Sequence, residues 1–376
     1  MKKILALVLA LCMVFALCAC GAKTEAPAQA PAAEAPAAEA PAAEAPAFKV
    51  AMITDYGDIT DQSFNQTTYE ACKEFCDENS IEFKYYKPAG DSTAERVAMV
   101  DAAVADGFNV IVMPGFAFGE TVVQTVELYP DVYFVALDVS QGDLGDFVLP
   151  ENVFCAVYQE ELCGYMAGYA AVKLGYTKLG FLGGMAVPAV VRYGYGFVQG
   201  ADAAAVELGT DIEINYTYGG QFYGTPETTA KMEGWYQAGT EVVFACGGGI
   251  YTSAVEAANK YGAKVIGVDV DQSYIDECII TSAMKQLQNV TETVLDALNT
   301  GSWDVYGGKV SNFSLAEGEY VGLPTDADSW RLTTFTVDEY TTVKDAIASG
   351  SIVVDNSSDS AVTPAVSEHT TANYIG

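Results

Sequence analysis

The chain has 376 residues, 51% of them hydrophobic, and sets 18 basic against 50 acidic side chains for a formal charge of −32. That length and apolar content can bury the cores of two lobes, whereas so acidic a balance argues against a nucleic-acid partner, which needs clustered Lys and Arg, and against adhesion to anionic lipid through the protein surface. With one histidine, His369, and no Cys-x-x-Cys, a zinc site or a Ser-His-Asp triad has no parts, and no cofactor is expected.

The chain opens Met1-Lys2-Lys3, continues with an apolar stretch over 4–16 and reaches Leu17-Cys18-Ala19-Cys20-Gly21. The stretch is short for the roughly 20 residues of a spanning helix and reads as an export signal. Its end resembles a bacterial lipobox: Leu three places before a Cys, a small residue just before it, Gly after it. That resemblance implies a signal peptide over 1–19, cleavage before Cys20, and lipid on the Cys20 sulfur. The protein is then anchored on the extracytoplasmic face of the cell membrane. Cys18 is the poorer candidate, because Leu17 stands where a small residue is expected. Over 20–47 the sequence repeats Ala-Pro-Ala-Ala-Glu; proline denies it a helix and the lack of large apolar groups denies it a core, so it reads as an extended tether.

The body begins with an apolar strand over 50–54, then a turn at Asp55-Tyr56-Gly57-Asp58. Ser63 with Gln66 three residues later suggests a capping box opening a helix over 63–79. Asp61 adds a second capping residue, and Phe64 and Asn65 fall at the first helical positions. Capping and packing alone would account for these residues. Cys72 and Cys76 share a face of that helix with Phe64, Thr68 and Phe75, so they read as small core residues. The six body cysteines are expected to be buried free thiols.

Further strands are predicted over 110–113, 132–137, 153–158, 178–182, 212–217, 242–246, 265–268 and 279–283. Helical patterns lie over 93–106, 118–129, 160–174, 190–207, 225–238, 252–261 and 286–299. Short apolar strands alternating with helices predict parallel sheets covered on both faces, a doubly wound α/β architecture. In such sheets small molecules dock beyond the carboxyl ends of the strands. The residues there are Asp55, Gly115-Phe116, Asp138, Gly183-Gly184, the run 219–223 with Phe222, Gly247-Gly248-Gly249, Asp269 and Lys285. Carboxylates, one ammonium, aromatics and bare backbone suit a neutral polar ligand with an aromatic face. Gly194-Tyr195-Gly196-Phe197-Val198-Gln199-Gly200 is one residue too long for a dinucleotide fingerprint and lies in a helical pattern. Asp269-Val270-Asp271 could pose as a carboxylate pair, but nothing supplies an acid/base partner, and no enzyme is expected.

Taken in order, these blocks resemble the basic membrane protein (BMP) family of substrate-binding lipoproteins, whose best-known branch is the purine nucleoside receptor of bacterial ABC transporters. The residues that carry the resemblance are a TD-x-G-x-x-x-D-x-SFN block at 54–65, Gly115-Phe116, the strand entry and Asp at 129–138, and a Gly-Phe-Leu-Gly-Gly-Met segment at 180–185 with Arg192 downstream. Gly-Val-Asp-x-Asp-Gln at 267–272 and Thr-Ser-x-x-Lys at 281–285 complete it. The resemblance implies a type I periplasmic-binding-protein fold, two Rossmann-like lobes with parallel sheets joined by crossover strands. It puts 48–155 plus 280–310 in the N-terminal lobe, 156–279 plus 311–350 in the C-terminal lobe, and leaves 351–376 as a polar tail. It further implies a nucleoside, purine favoured, sandwiched between Phe64 and Phe222. Asp55 and Asn65 would hold the base, Asp269 and Lys285 the ribose with Lys285 neutralising Asp269, and Asp138 and Gly247 would line the cleft. The partners are then an ABC permease and ATPase, with the receptor a monomer. A sensory lipoprotein binding a sugar-like or other small polar ligand without transport, and a nucleoside or sugar hydrolase, are the alternatives.

Overall fold

Every residue of the first strand, Val50–Ile53 (β1), is buried, as a strand covered by helices on both faces must be. A computed structural model describes residues 48–55 and 57–375; the expected signal, Cys20 and the tether lie outside them. After β1 come α1 (Phe64–Asn79), β2 (Phe83–Tyr86), α2 (Thr93–Ala105), β3 (Val110–Pro114), α3 (Gly119–Thr125), β4 (Tyr133–Leu137), α4 (Gln141–Leu144) and β5 (Val153–Tyr158). The chain continues through α5 (Glu160–Lys173), β6 (Lys178–Gly183), α6 (Pro188–Leu208), β7 (Ile212–Tyr218), α7 (Pro226–Gln237), β8 (Val242–Cys246), α8 (Tyr251–Tyr261), β9 (Lys264–Asp269) and β10 (Ile279–Lys285). It ends with α9 (Leu287–Thr300), β11 (Lys309–Phe313), β12 (Val321–Gly322), α10 (Val337–Ala348) and β13 (Thr370–Tyr374).

The strands form two sheets. The first runs β11-β5-β4-β3-β1-β2 and is parallel throughout. The second runs β12-β10-β9-β8-β6-β7-β13, parallel except for β12 against β10. The chain crosses between lobes three times: after β5, after β10 and after β11. The expected first-lobe segment 280–310 is therefore divided. Residues 279–285 pair with β9 in the second sheet, and only afterwards does α9 return to pack on α1 and lead into β11.

The tail also differs from its expected character. Ile352 and Val354 pack on the core, and β13 extends the second sheet in parallel with β7. The sole histidine sits here, with its Nδ1 2.8 Å from Asp211. The six body cysteines are buried and free, and no helix among the described residues is long and apolar enough to cross a membrane.

At the junction of the lobes lies α5, buried along its whole length except for Lys173. It meets α6 backbone to backbone through Gly164 and Gly168 on one helix and Gly196 and Gly200 on the other. A Cβ at these glycines would stand 2.2, 2.1, 1.9 and 1.9 Å from carbonyl oxygens of the facing helix. The Gly-rich run that fails as a dinucleotide motif is thus a packing surface, and it fixes where Glu160, Arg192 and Tyr193 stand.

Candidate ligand-binding site

The carboxyl ends of both sheets face one cavity of about 560 Å³, counting its open mouth. The first lobe contributes Asp55, Phe64, Asn65, Gly115, Phe116 and Asp138; the second contributes Phe222, Gly247, Asp269 and Lys285, with Tyr193 from α6. All eight residues expected to line a ligand site, namely Asp55, Phe64, Asn65, Asp138, Phe222, Gly247, Asp269 and Lys285, border this one cavity.

Asp61 builds the first lobe's half. Its carboxylate accepts from the backbone N–H of Ser63 (2.9 Å), Asn65 (3.1 Å) and Gln66 (3.1 Å), and from the Asn65 side-chain amide (3.2 Å). The expected Ser63–Gln66 capping box does not form. Ser63 makes no side-chain cap bond, and its hydroxyl donates instead to Asp269 Oδ2 at 2.6 Å, while Gln66 Oε1 accepts from Gln62. The reason is competition: the Asp61 carboxylate, two positions back, reaches the same N–H groups with a negative charge, which the helix N-terminus favours. Burial holds the Asp61 carboxyl above its usual range despite those hydrogen bonds.

Lys285 organises the charges. Its Nζ lies 2.6 Å from Asp138 Oδ2 and 3.2 Å from Glu160 Oε1, but 4.0 Å from Asp269 Oδ1. Asp138 and Glu160 are therefore its nearest partners, with Asp269 paired at longer range. Arg192 Nε closes the chain on Glu160 Oε2 at 2.7 Å. Burial opposes the charge on Lys285, yet Asp138, Glu160 and Asp269 together hold its pKa above the usual value. For Asp138 burial wins over the lysine and lifts the carboxyl to about 6. Glu160 is held below its usual range, since Arg192 and Lys285 outweigh its burial. Burial raises Asp269, which the Lys285 charge, Ser63 and Tyr193 OH (3.2 Å) partly compensate.

The same ammonium stands 4.7 Å from the centre of the Phe64 ring and 5.2 Å from that of Tyr158, within cation–π range. Asn65 Oδ1 and Asp138 Oδ1 are buried and have no hydrogen-bond partner among the described residues. The amide of Asn65 is oriented by its bond to Asp61, which turns the oxygen away from that carboxylate. Backbone shape brings these groups close. At Gly115 (φ +129°) a Cβ would fall 1.9 Å from Asp55 Oδ2, and at Gly247 (φ +148°) one would fall 3.1 Å from Phe222 Cδ1. Tyr223, next to Phe222, is 63% exposed and lies outside the cavity.

Sequence reasoning missed Glu160 and the Ser63 hydroxyl as supports of the site. Glu160-Glu161 opens a helix otherwise apolar except for its last residue, and two adjacent carboxylates on a buried helix signal paired charges, since Glu is seldom buried without a partner.

The family model for Bmp, described as ABC transporter substrate-binding protein PnrA-like, matches residues 48–357. The chain belongs to that family. Among Bmp relatives, the ABC transporter nucleoside-binding protein BmpA of Lactococcus lactis is 26% identical over 72% of this chain and 80% of its own length. Basic membrane protein B of Borreliella burgdorferi is 30% identical over 73% and 80%. Among solved structures, an ABC transporter solute-binding protein from Aeropyrum pernix superposes with a TM-score of 0.72 at 21% identity, covering 84% of this chain and 95% of that one, and one from Conexibacter woesei with 0.64 at 22%, covering 82% and 99%. The Bmp chain thus has the periplasmic-binding-protein fold and is an ABC transporter substrate-binding protein. The Lactococcus relative and the two solved structures are named as binding proteins.

Proposed function

We propose that this Bmp protein captures a nucleoside, purine favoured, in the interlobe cleft and delivers it to an ABC permease and its ATPase, as a monomer held on the extracytoplasmic face by lipid on Cys20. The observation that carries the reading is a pair of buried acceptors, Asn65 Oδ1 and Asp138 Oδ1, left unspent in a cavity bordered by the rings of Phe64 and Phe222. An unmet buried acceptor is costly, so a ligand that brings N–H and O–H donors between two apolar ring faces is selected over one that lacks them. A nucleoside has that form.

In this reading Phe64 and Phe222 cover the two faces of the base, while Asn65 and Asp55 meet its edge. Asp138 and Asp269 accept from ribose hydroxyls. Lys285 has three donors and spends two on Asp138 and Glu160, so the third is free to meet a sugar oxygen. The relative named a nucleoside-binding protein supports the ligand class. Mass spectrometry of small molecules released when protein purified from its producing cells is denatured tests the assignment. A purine nucleoside is expected; a sugar or amino acid at stoichiometric amount would overturn it.

A further inference from the structure

The helix α6 begins on the cavity wall without a side-chain cap. Val187, its N-cap residue, has the extended backbone of a capping position (φ −97°, ψ 160°) but no side-chain atom that can accept a hydrogen bond, and no acidic residue stands in the first turn. Pro188 follows and has no N–H to satisfy. The Val187 N–H turns back to the Met185 carbonyl at 2.8 Å, and the Val191 N–H donates to the Val187 carbonyl at 2.9 Å. Between them, the N–H groups of Ala189 and Val190 have no acceptor among the described residues. Both residues are buried, and both border the cavity together with Val187. A buried N–H without a partner costs about as much as a lost hydrogen bond, and the positive end of the helix dipole lies at the same place.

The opposing wall carries unspent groups of the other kind. Asn65, 5% exposed, and Asp138, with 10% of its side chain exposed, each border the same cavity with an Oδ1 that accepts from no described residue. The first lobe therefore offers acceptors and α6 offers donors. The start of α6 also lies between two landmarks. On one side Phe222 packs on Gly184, where a Cβ would fall 2.5 Å from its Cδ1. On the other, Tyr193, one turn beyond Val190, donates to Asp269 Oδ1 at 3.2 Å. The two N–H groups thus stand between the ring that would cover a base and the carboxylate that would hold a ribose hydroxyl.

We propose that the Ala189 and Val190 N–H groups bind the 5′-hydroxyl oxygen of a nucleoside, the sugar hydroxyl that Asp138 and Asp269 do not take, so that the first turn of α6 selects ligands by their 5′ end. The inference rests on the nucleoside reading given above. Charge favours a hydroxyl over a phosphate at this place. Asp138, Glu160 and Asp269 outnumber Lys285 and Arg192, and both cations are already engaged with those carboxylates. A 5′-phosphate would add negative charge to a buried region that already has a surplus of it, a cost that two N–H dipoles do not offset.

Calorimetric titration tests this on the full chain, freed of carried ligand by unfolding in guanidinium and refolding, with adenosine, guanosine and their 5′-deoxy and 5′-monophosphate forms. Wild type is expected to bind the tighter parent nucleoside about fivefold or more strongly than its 5′-deoxy form, the factor carried by one hydrogen bond, and more strongly than its monophosphate. Val187→Thr supplies the missing cap. Thr336 caps α10 from nearly the same backbone geometry (φ −83°, ψ 160°), its hydroxyl accepting from the N–H three residues on, and three residues on from 187 that N–H belongs to Val190. The variant should melt no lower than wild type, while the parent nucleoside loses its advantage over the 5′-deoxy form. Val187→Ser adds the same acceptor and serves if the threonine packs poorly. Val187→Ala removes the methyl groups without adding an acceptor and should keep the wild-type ratio. Equal wild-type affinity for parent and 5′-deoxy forms, a ratio that survives both capping variants, a ratio lost equally in Val187→Ala, or tighter binding of the monophosphate overturns the subsite. Each of those results leaves the nucleoside assignment standing, whereas no heat with either nucleoside overturns both.

Discussion

Asp61 is the residue on which the first lobe's half of the site turns. It caps α1 and holds the Asn65 amide in one orientation, so Asp61→Ala should cost about 1–2 kcal/mol of stability by chemical denaturation, the range for a lost cap, and should weaken ligand binding as well. At the ring faces, Phe64→Ala and Phe222→Ala should each cost roughly 1–3 kcal/mol of binding by calorimetry, the scale of base–aromatic stacking; unchanged affinity in either would exclude the sandwich. Phe222 and the carboxylates are legible in the sequence as residues just past strand ends, and Phe64 as a first helical position, while the pairing of the two rings across one ligand is what the family resemblance implies. The division of labour between Asp61 and Ser63 was not legible. Two capping residues two positions apart compete for the same N–H groups, and only the three-dimensional position of Asp269 shows where the spare hydroxyl goes.

Glu161 gives a residue-scale prediction that varies with pH. Burial lifts its carboxyl to about 7, with Asn356 donating to one oxygen at 3.2 Å and the other left unpartnered among the described residues. A folded pKa above the unfolded one means that the buried charge destabilises the fold at higher pH. That cost fades as pH falls from about 7 toward the ordinary glutamate range. Glu161→Gln keeps an acceptor for Asn356 and removes the charge. It should therefore raise stability on the order of 2 kcal/mol near pH 8 and by little near pH 5. Thermal melts at the two values check this, and an equal gain at both would contradict the assignment.

At the scale of elements, the α5–α6 pair does the positioning. Its four glycines let the helices meet at backbone distance, which places Glu160 and Arg192 beside Lys285. Gly200→Ala, whose Cβ would stand 1.9 Å from the Tyr165 carbonyl oxygen, forces the helices apart and should cost about 1–3 kcal/mol or more, as overpacking does. Because the charged chain rides on those helices, ligand affinity should fall with it, measurable on the fraction that folds. The parallel core strands were readable as short apolar runs. The edge strands β2 and β11 were not: Phe-Lys-Tyr-Tyr and Lys-Val-Ser-Asn-Phe carry polar residues on their less buried faces, so the apolar signal that marks a central strand is diluted. The strand β13 was hidden for the same reason, lying in a polar tail that pairs along only one edge.

Across the whole molecule, two sheets and three crossings bring the carboxyl ends of strands from both lobes to one cavity, which is why residues as distant in sequence as Asp55 and Lys285 share it. Alternation of strands and helices made the doubly wound architecture readable. The point at which the chain leaves the second lobe was harder, since β10 is an apolar strand that would suit either sheet; the pairing with β9 decides it. The most direct test of the account is a calorimetric titration of ligand-stripped protein with a purine nucleoside and with its free base, in wild type and in Asp269→Asn. The account predicts that wild type binds the nucleoside more tightly than the base, and that the substitution weakens the nucleoside while leaving the base little changed. No heat with any nucleoside, or an equal loss for nucleoside and base, would contradict it.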